Sequence, residues 1–288
     1  MNGSERVNNI TAPEDHGEFT PLLGKSFLTP LYDRALGLFT REHLWRQKIV
    51  EELHLVPGDR VIDVGSGTGT LLKALMTDCP EAGLIGVEPD QEALALARRK
   101  FGAGADLVKW HNGFLESLEL PAGWQPNKIV SSLVLHQVPL RKKQAILEII
   151  ESLLVPGGTV LIADYMKQES PLMRSLFRAT VQSLDGISDT QPSADGEVEK
   201  LFAEIFTEPC LLHRLPTVTG TISLWRGYKK GIAQSSGKSL PCSGDRLAAR
   251  PCSCWQPVRT WLRQRPIRCL GTPDVDAVST GQAILKMG

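Results

Sequence analysis

The chain has 288 residues, 42% of them hydrophobic, with 32 basic and 32 acidic side chains and a pI near 7.0. That length fits one large α/β domain or two small ones and supports a sizeable core. The charge balance excludes a domain built mainly for phosphate backbones, and no apolar run approaches the roughly 18 residues of a membrane span.

Residues 1–25 are polar, with Glu5, Arg6, Glu14 and Asp15, and lack the apolar stretch of a secretory signal. They read as a disordered segment of a cytoplasmic protein, in which the Asn9-Ile10-Thr11 sequon carries no glycan. A single domain is expected over 26–230. On its first helix, His43 and Trp45 read as packing and surface residues. Short runs rich in Val, Ile and Leu then alternate with amphipathic stretches. Arg60–Val64 precedes a helix at Leu71–Met76, Leu84–Val87 precedes one at Gln91–Lys100, and Lys128–Leu133 precedes one at Arg141–Leu154. Pro156-Gly157-Gly158 stops that last helix before Thr159–Ala163. This alternation predicts βαβ units and an α/β, mainly parallel sheet covered on both faces. Cys210–Leu215 and Val218–Trp225 lie too close together for a helical crossover, so an antiparallel hairpin is expected there.

The tail 231–288 has a different character. It holds eight basic and three acidic side chains, a net +5, with five prolines and four of the six cysteines. Its apolar residues follow neither strand nor helix period, and it is expected to be disordered. Cys242, Cys252, Cys254 and Cys269 form no C-x-x-C pair and have no nearby histidine, so no metal site is expected.

The strongest chemical signal is Val61-Ile62-Asp63-Val64-Gly65-Ser66-Gly67-Thr68-Gly69, a buried strand ending in a glycine turn that opens a helix near Thr70. Glycines admit close approach of a ligand, and the free N–H groups of a helix start can meet its polar end. The spacing is G-x-G-x-G, which disfavours a nicotinamide dehydrogenase, and no Gly-Lys-Ser/Thr follows, which excludes a P-loop. Glu88 ends the next strand, where a carboxylate can accept both ribose hydroxyls of a nucleoside.

These motifs, followed in order by Val130-Ser131-Ser132-Leu133-Val134-Leu135-His136 and Pro156-Gly157-Gly158, resemble the class I S-adenosylmethionine-dependent methyltransferases. The resemblance is to the small-molecule branch typified by ubiquinone/menaquinone-biosynthesis C-methyltransferases. It implies a doubly wound, Rossmann-like sheet of seven strands with the last antiparallel, and S-adenosylmethionine as the cofactor. Gly65 and Gly67 would border the methionine part, Gly69 would belong to the same cofactor-binding turn, and Asp63 would organise that turn and reach the cofactor's amino end, directly or through water. Glu88 would hold the ribose. Asn112, beside Gly113, stands where family members usually carry an aspartate for the adenine amino group, and Tyr32 resembles a tyrosine that closes over the cofactor.

His136 follows the fourth strand on the cleft side, as a general base, an anchor for a substrate oxygen, or a helix-entry histidine bonded to backbone. Asp164 and Tyr165, after the fifth strand, are substrate-side candidates. The amphipathic stretch Leu172–Leu184 sits where this branch carries its substrate lid. The leading reading is methyl transfer to a small molecule, with no nucleic-acid partner. The alternative is a non-catalytic partner protein that binds the same cofactor.

Overall fold

A computed structural model describes residues 41–231. Tyr32, the segment 1–25 and the tail beyond Gly231 lie outside the described residues. Helix α1 (Glu42–Leu53) leads into β1 (Arg60–Val64), α2 (Thr70–Asp78), β2 (Gly83–Glu88), α3 (Gln91–Phe101) and β3 (Val108–Asn112). β4 (Lys128–Ser132), α4 (Leu140–Leu153) and β5 (Thr159–Tyr165) follow. Four helices then precede the closing hairpin: α5 (Pro171–Ala179), α6 (Val181–Asp185), α7 (Ile187–Asp195) and α8 (Glu197–Ile205). The hairpin is β6 (Thr207–Thr217) and β7 (Gly220–Tyr228).

Local chemistry sets several of these boundaries. Asp90 accepts from the backbone N–H of Glu92 and Ala93 at the start of α3, and Arg98, Arg99 and Lys100 sit in its last turn against the negative end of the dipole. Ser170 caps α5 ahead of Pro171 in its first turn. The turn after α4 passes through Gly157 at φ +75°.

The seven strands are ordered β3-β2-β1-β4-β5-β7-β6. β7 is antiparallel to both of its neighbours, and the other pairings are parallel. The expected hairpin is therefore present, and its return strand is the antiparallel one. The chain runs outward from β1 to β3 and then crosses back to β4, so the topological switch point lies between β1 and β4. In open parallel sheets, ligand clefts form at the carboxyl ends of the strands at that point.

Side chains alternate along each strand between two cores. Val61, Leu84, Val130 and Leu161 pack with Trp45 and Ile49 of α1 and with Leu71, Leu72 and Leu75 of α2. Ile62, Ile85, Ile129 and Ile162 face Leu147 and Ile150 of α4 and Phe202 of α8. Trp45 is thus a core residue. None of the described helices is long and apolar enough to cross a membrane.

The end of the sheet away from the cleft is fastened by Asp59. One oxygen accepts from the Lys128 ammonium (2.7 Å) and the Val56 N–H (2.9 Å), the other from the Asn127 amide (2.7 Å). Lys128 also donates to the carbonyls of Leu53 and His54, closing the exposed end of α1. Burial alone would raise the Asp59 carboxyl, but Lys128 and the other donors outweigh it and hold it below its ordinary value. The stabilisation is therefore present above the ordinary carboxylate range and lost as pH falls through the depressed value. Lys128→Met should cost about 1.5–3 kcal/mol by removing the charged partner of Asp59 and leaving it only the Asn127 and Val56 donors. Urea melts at pH 7 would show it as a lower midpoint, and an unchanged midpoint would mean that this fastening contributes nothing.

Candidate functional site

The tips of β1, β2 and β3 are knitted by backbone. The N–H groups of Gly65 and Ser66 both donate to the Val87 carbonyl (2.9 and 3.0 Å), which bends the chain sharply out of β1. A Cβ on Gly65 would collide with Val134 Cγ2, so only glycine lets the loop after β4 pack against this turn. Gly67 stands at φ +52° with nothing within 4 Å of an added Cβ, leaving open space above the turn. Gly69 occupies the N-cap position of α2 in the left-handed region.

Glu88 ties the pieces together. Its Oε2 accepts from Gly67 N–H (2.8 Å) and its Oε1 from Asp90 N–H (3.0 Å), and the residue is 1% exposed. Burial raises the carboxyl, opposed by those two donors. Asn112 donates its amide N–H to the carbonyls of Glu88 (3.2 Å) and Pro89 (3.0 Å). This commits the nitrogen inward and leaves Oδ1 as an outward acceptor. Gly113 N–H closes the same corner on the Glu88 carbonyl (3.1 Å).

Asp63 departs from its expected role. It does not organise the turn; Val87 and Glu88 do. Instead it is 1% exposed and neither carboxylate oxygen has a hydrogen-bond partner, and the nearby Ser66 hydroxyl has none either. Burial pushes the Asp63 carboxyl up to about 7, against the pull of the Arg46 guanidinium and helped by the negative charge of Glu88. Arg46, on α1, pairs with Glu42 one turn earlier and leaves its Nε buried without a partner. Reading the sequence passed over Arg46; its signal was its place beside the core residue Trp45, at the margin of a buried helix face.

A second cluster occupies the tips of β4 and β5. Leu133 follows β4 at φ +56°, a strained conformation for a leucine, and donates its N–H to the Ala163 carbonyl (2.9 Å). This turn delivers Val134 to Gly65 and His136 to Asp164. His136 is not bonded to backbone: Nδ1 meets Asp164 Oδ1 at 2.6 Å, and Nε2 lies 3.5 Å from Asp185 Oδ2. Burial opposes the imidazolium charge, but the two aspartates outweigh it and raise His136 to about 9. The two carboxylates favour the protonated ring, which presents an N–H on each side.

Asp164 and Tyr165 are the last residues of β5, and both are buried. Asp164 spends its oxygens on His136 and the N–H groups of Leu135 and Tyr165, so it acts through His136. The Tyr165 hydroxyl bonds Thr219 (2.5 Å) and its ring packs on Phe177, so it supports the cleft from below. Asp185 and the fully buried Lys143 were missed by reading the sequence, because only folding brings α4, α6 and α7 to His136. Among the described residues no group of His, Cys, Asp or Glu is placed to hold a metal ion.

Residues 61–158 match the family described as a methyltransferase domain. The ubiquinone/menaquinone biosynthesis C-methyltransferase of Syntrophotalea carbinolica is 26% identical over 153 residues, covering 52% of this chain and 63% of that protein. A demethylmenaquinone methyltransferase of Deinococcus radiodurans is 26% identical over 212 residues, covering 72% and 86%. The first of these alignments takes in less than two thirds of the relative. Among solved structures, an O-methyltransferase family protein of Burkholderia thailandensis superposes with a TM-score of 0.50 at 17% identity, over 66% of this chain and 57% of that one. That likeness establishes the shared fold.

The buried, unpartnered Asp63 has a measurable cost. A carboxyl raised by folding weakens the folded state as pH climbs from the ordinary value near 4 to about 7, because the charge must then be buried. Asp63→Asn removes that penalty. At pH 8 the unliganded variant should melt higher than the parent by about 1 kcal/mol or more, roughly 2–4 °C for a domain of this size, with the gap closing near pH 4. Calorimetric scans at both pH values would test this, and equal melting temperatures at pH 8 would show that Asp63 is not under electrostatic strain.

Proposed function

With residues 61–158 matching the methyltransferase domain family, we propose that this chain is a class I methyltransferase that binds S-adenosylmethionine at the β1–α2 turn and methylates a small molecule. The observation that carries the reading is Asp63, a buried carboxylate with two unpartnered oxygens beneath a glycine turn that is open at Gly67. A buried carboxylate is costly unless something pairs with it. The ammonium of an amino-acid moiety supplies that pair, and the unpartnered Ser66 hydroxyl adds a polar contact beside it. The residues present therefore fit the cofactor.

Glu88 would accept the ribose hydroxyls on the lone pairs that Gly67 and Asp90 do not use, since an ionised carboxylate has about four acceptor sites. Asn112 Oδ1 would accept from the adenine amino group, as a neutral acceptor and so without charge assistance. Bound there, the cofactor supplies a methyl group on an already electrophilic sulfonium.

The work left to the protein is alignment and exclusion of water. The close contact of Val134 with Gly65 joins the two clusters at the carboxyl ends of the central strands. His136, held cationic by Asp164, would donate to an oxygen of the acceptor and orient its nucleophilic atom. A small-molecule acceptor is supported by the relatives named for quinone biosynthesis. We place the activity in the cytoplasm.

Glu88→Ala should lower cofactor affinity at least tenfold, because hydrogen bonds to a charged acceptor contribute on the order of 1.5–3 kcal/mol each. The unliganded variant should also melt lower, since Gly67 and Asp90 lose their shared acceptor. Titration calorimetry with S-adenosylhomocysteine is the direct measurement, with Gly67→Val as a second variant that fills the open space. If both folded variants bind as tightly as the parent, the cofactor does not lie at this turn.

A further inference from the structure

The helices α5 to α7 lie between β5 and the closing hairpin, over the tips of β4 and β5. Phe177 of α5, Val181 of α6 and Ala194 of α7 pack into the core, and two polar contacts tie α6 and α7 to the residues around His136. One is Asp185, the last residue of α6, whose Oδ2 stands 3.5 Å from His136 Nε2. The other is the buried Lys143 of α4, which donates to the Asp189 carbonyl of α7 at 2.7 Å and to the Val138 carbonyl.

The two ring nitrogens of His136 face two carboxylates. Asp164 belongs to the sheet and is fixed by three donors, counting the imidazole. A neutral ring protonated on Nδ1 would direct its Nε2 lone pair at the Asp185 carboxylate, which is repulsive. Only the imidazolium donates to both. Asp185 itself sits at a joint. The next residue, Gly186, has φ +86° with nothing within 4 Å of an added Cβ. Beyond it Thr190 returns a hydrogen bond to the Gly186 carbonyl (2.5 Å), and Gln182 bonds Gln191 across the bend (3.1 Å). Hydrogen bonds across the bend thus hold α6 and α7 together.

We propose that Asp185 is a positioning residue that reaches from the lid to the second nitrogen of His136, fixing the ring as a cation and docking α6–α7 on the acceptor side of the cleft. The proposal rests on the methyltransferase reading only for the statement that this side receives an acceptor; the contact itself does not require it. An acceptor oxygen that takes the Nε2 donor displaces Asp185, so acceptor binding and lid position are coupled.

The groups facing His136 are Asp164 and Tyr165 from β5 and Asp185 from α6, with Lys143 of α4 and Asp189 of α7 next to them. A histidine raised by folding contributes stability that is complete below its ordinary value near 6.5 and lost as pH rises through about 9. Burial brings Lys143 down to about 8, within the same window, so a pH profile alone does not separate the two contacts and a substitution at Asp185 is needed.

The test uses the full-length chain without cofactor. The His136 ring should titrate near 9 by nuclear magnetic resonance, fall to about 8 or lower in Asp185→Asn, and recover in Asp185→Glu. At pH 7, hydrogen exchange of α6–α7 amides, corrected for intrinsic rates, should be about fivefold or more faster in Asp185→Asn than in the parent. A ring in the unsubstituted chain that titrates at or below 6.5, or one that does not respond to Asp185→Asn, overturns the proposal. If Asp185→Asn does not fold, Asp185→Ser, which also removes the charge, takes its place in both measurements. Because no methyl transfer is measured, failure here leaves the proposed activity standing, and loss of cofactor binding elsewhere leaves this contact standing.

Discussion

One buried carboxylate, Glu88, governs the geometry of the site. Its two oxygens reach the backbone of Gly67 in the β1 turn and of Asp90 at the start of α3. A buried acceptor with two backbone donors is a strong local constraint, because freeing either donor leaves a desolvated polar group. The glycine turn and the entry to α3 are joined through it, while the backbone carbonyl of the same residue holds the corner at Asn112 and Gly113. The switch point between β1 and β4 places this corner at the mouth of the cleft.

The strand tips distribute charge in two contrasting ways. Asp164 is fully satisfied, with its oxygens shared among His136 and two backbone donors. Asp63 is buried to the same degree and has no hydrogen-bond donor, and its carboxyl is pushed up to about 7. The first arrangement builds rigidity and keeps a histidine charged. The second carries an unfavourable desolvation, which a cationic ligand would relieve on the proposed cofactor reading.

The two halves of the cleft meet through backbone that is under strain. Leu133 adopts a left-handed conformation, and the loop it launches presses Val134 onto the one residue, Gly65, that has no Cβ to obstruct it. A leucine stays in that region only when its surroundings over-determine it. Here the Ala163 carbonyl, the packing of Leu135 in the core and the hold of Asp164 on its backbone do so together.

Period and punctuation alone made the parallel sheet, its glycine turn and the closing hairpin legible, because burial on one or both faces writes itself into adjacent residues. Glu88, Asn112 and the glycines could be placed at strand tips for the same reason: each lies within a residue or two of a recognisable strand. What each side chain touches was not legible. Asp63 looks in sequence like an organiser of its own turn, yet its surroundings come from α1, β2 and the loop beyond β1. Tyr165 reads as a cleft residue but its hydroxyl is consumed by Thr219, 54 positions away. Asp185 and Lys143 carry no local signal, since their roles depend on α4, α6 and α7 converging over β4 and β5. Hydrophobic periodicity is a property of neighbours in the chain, so sequence determined the elements; partners and charge states are set by neighbours in space, and only the tertiary structure decided those.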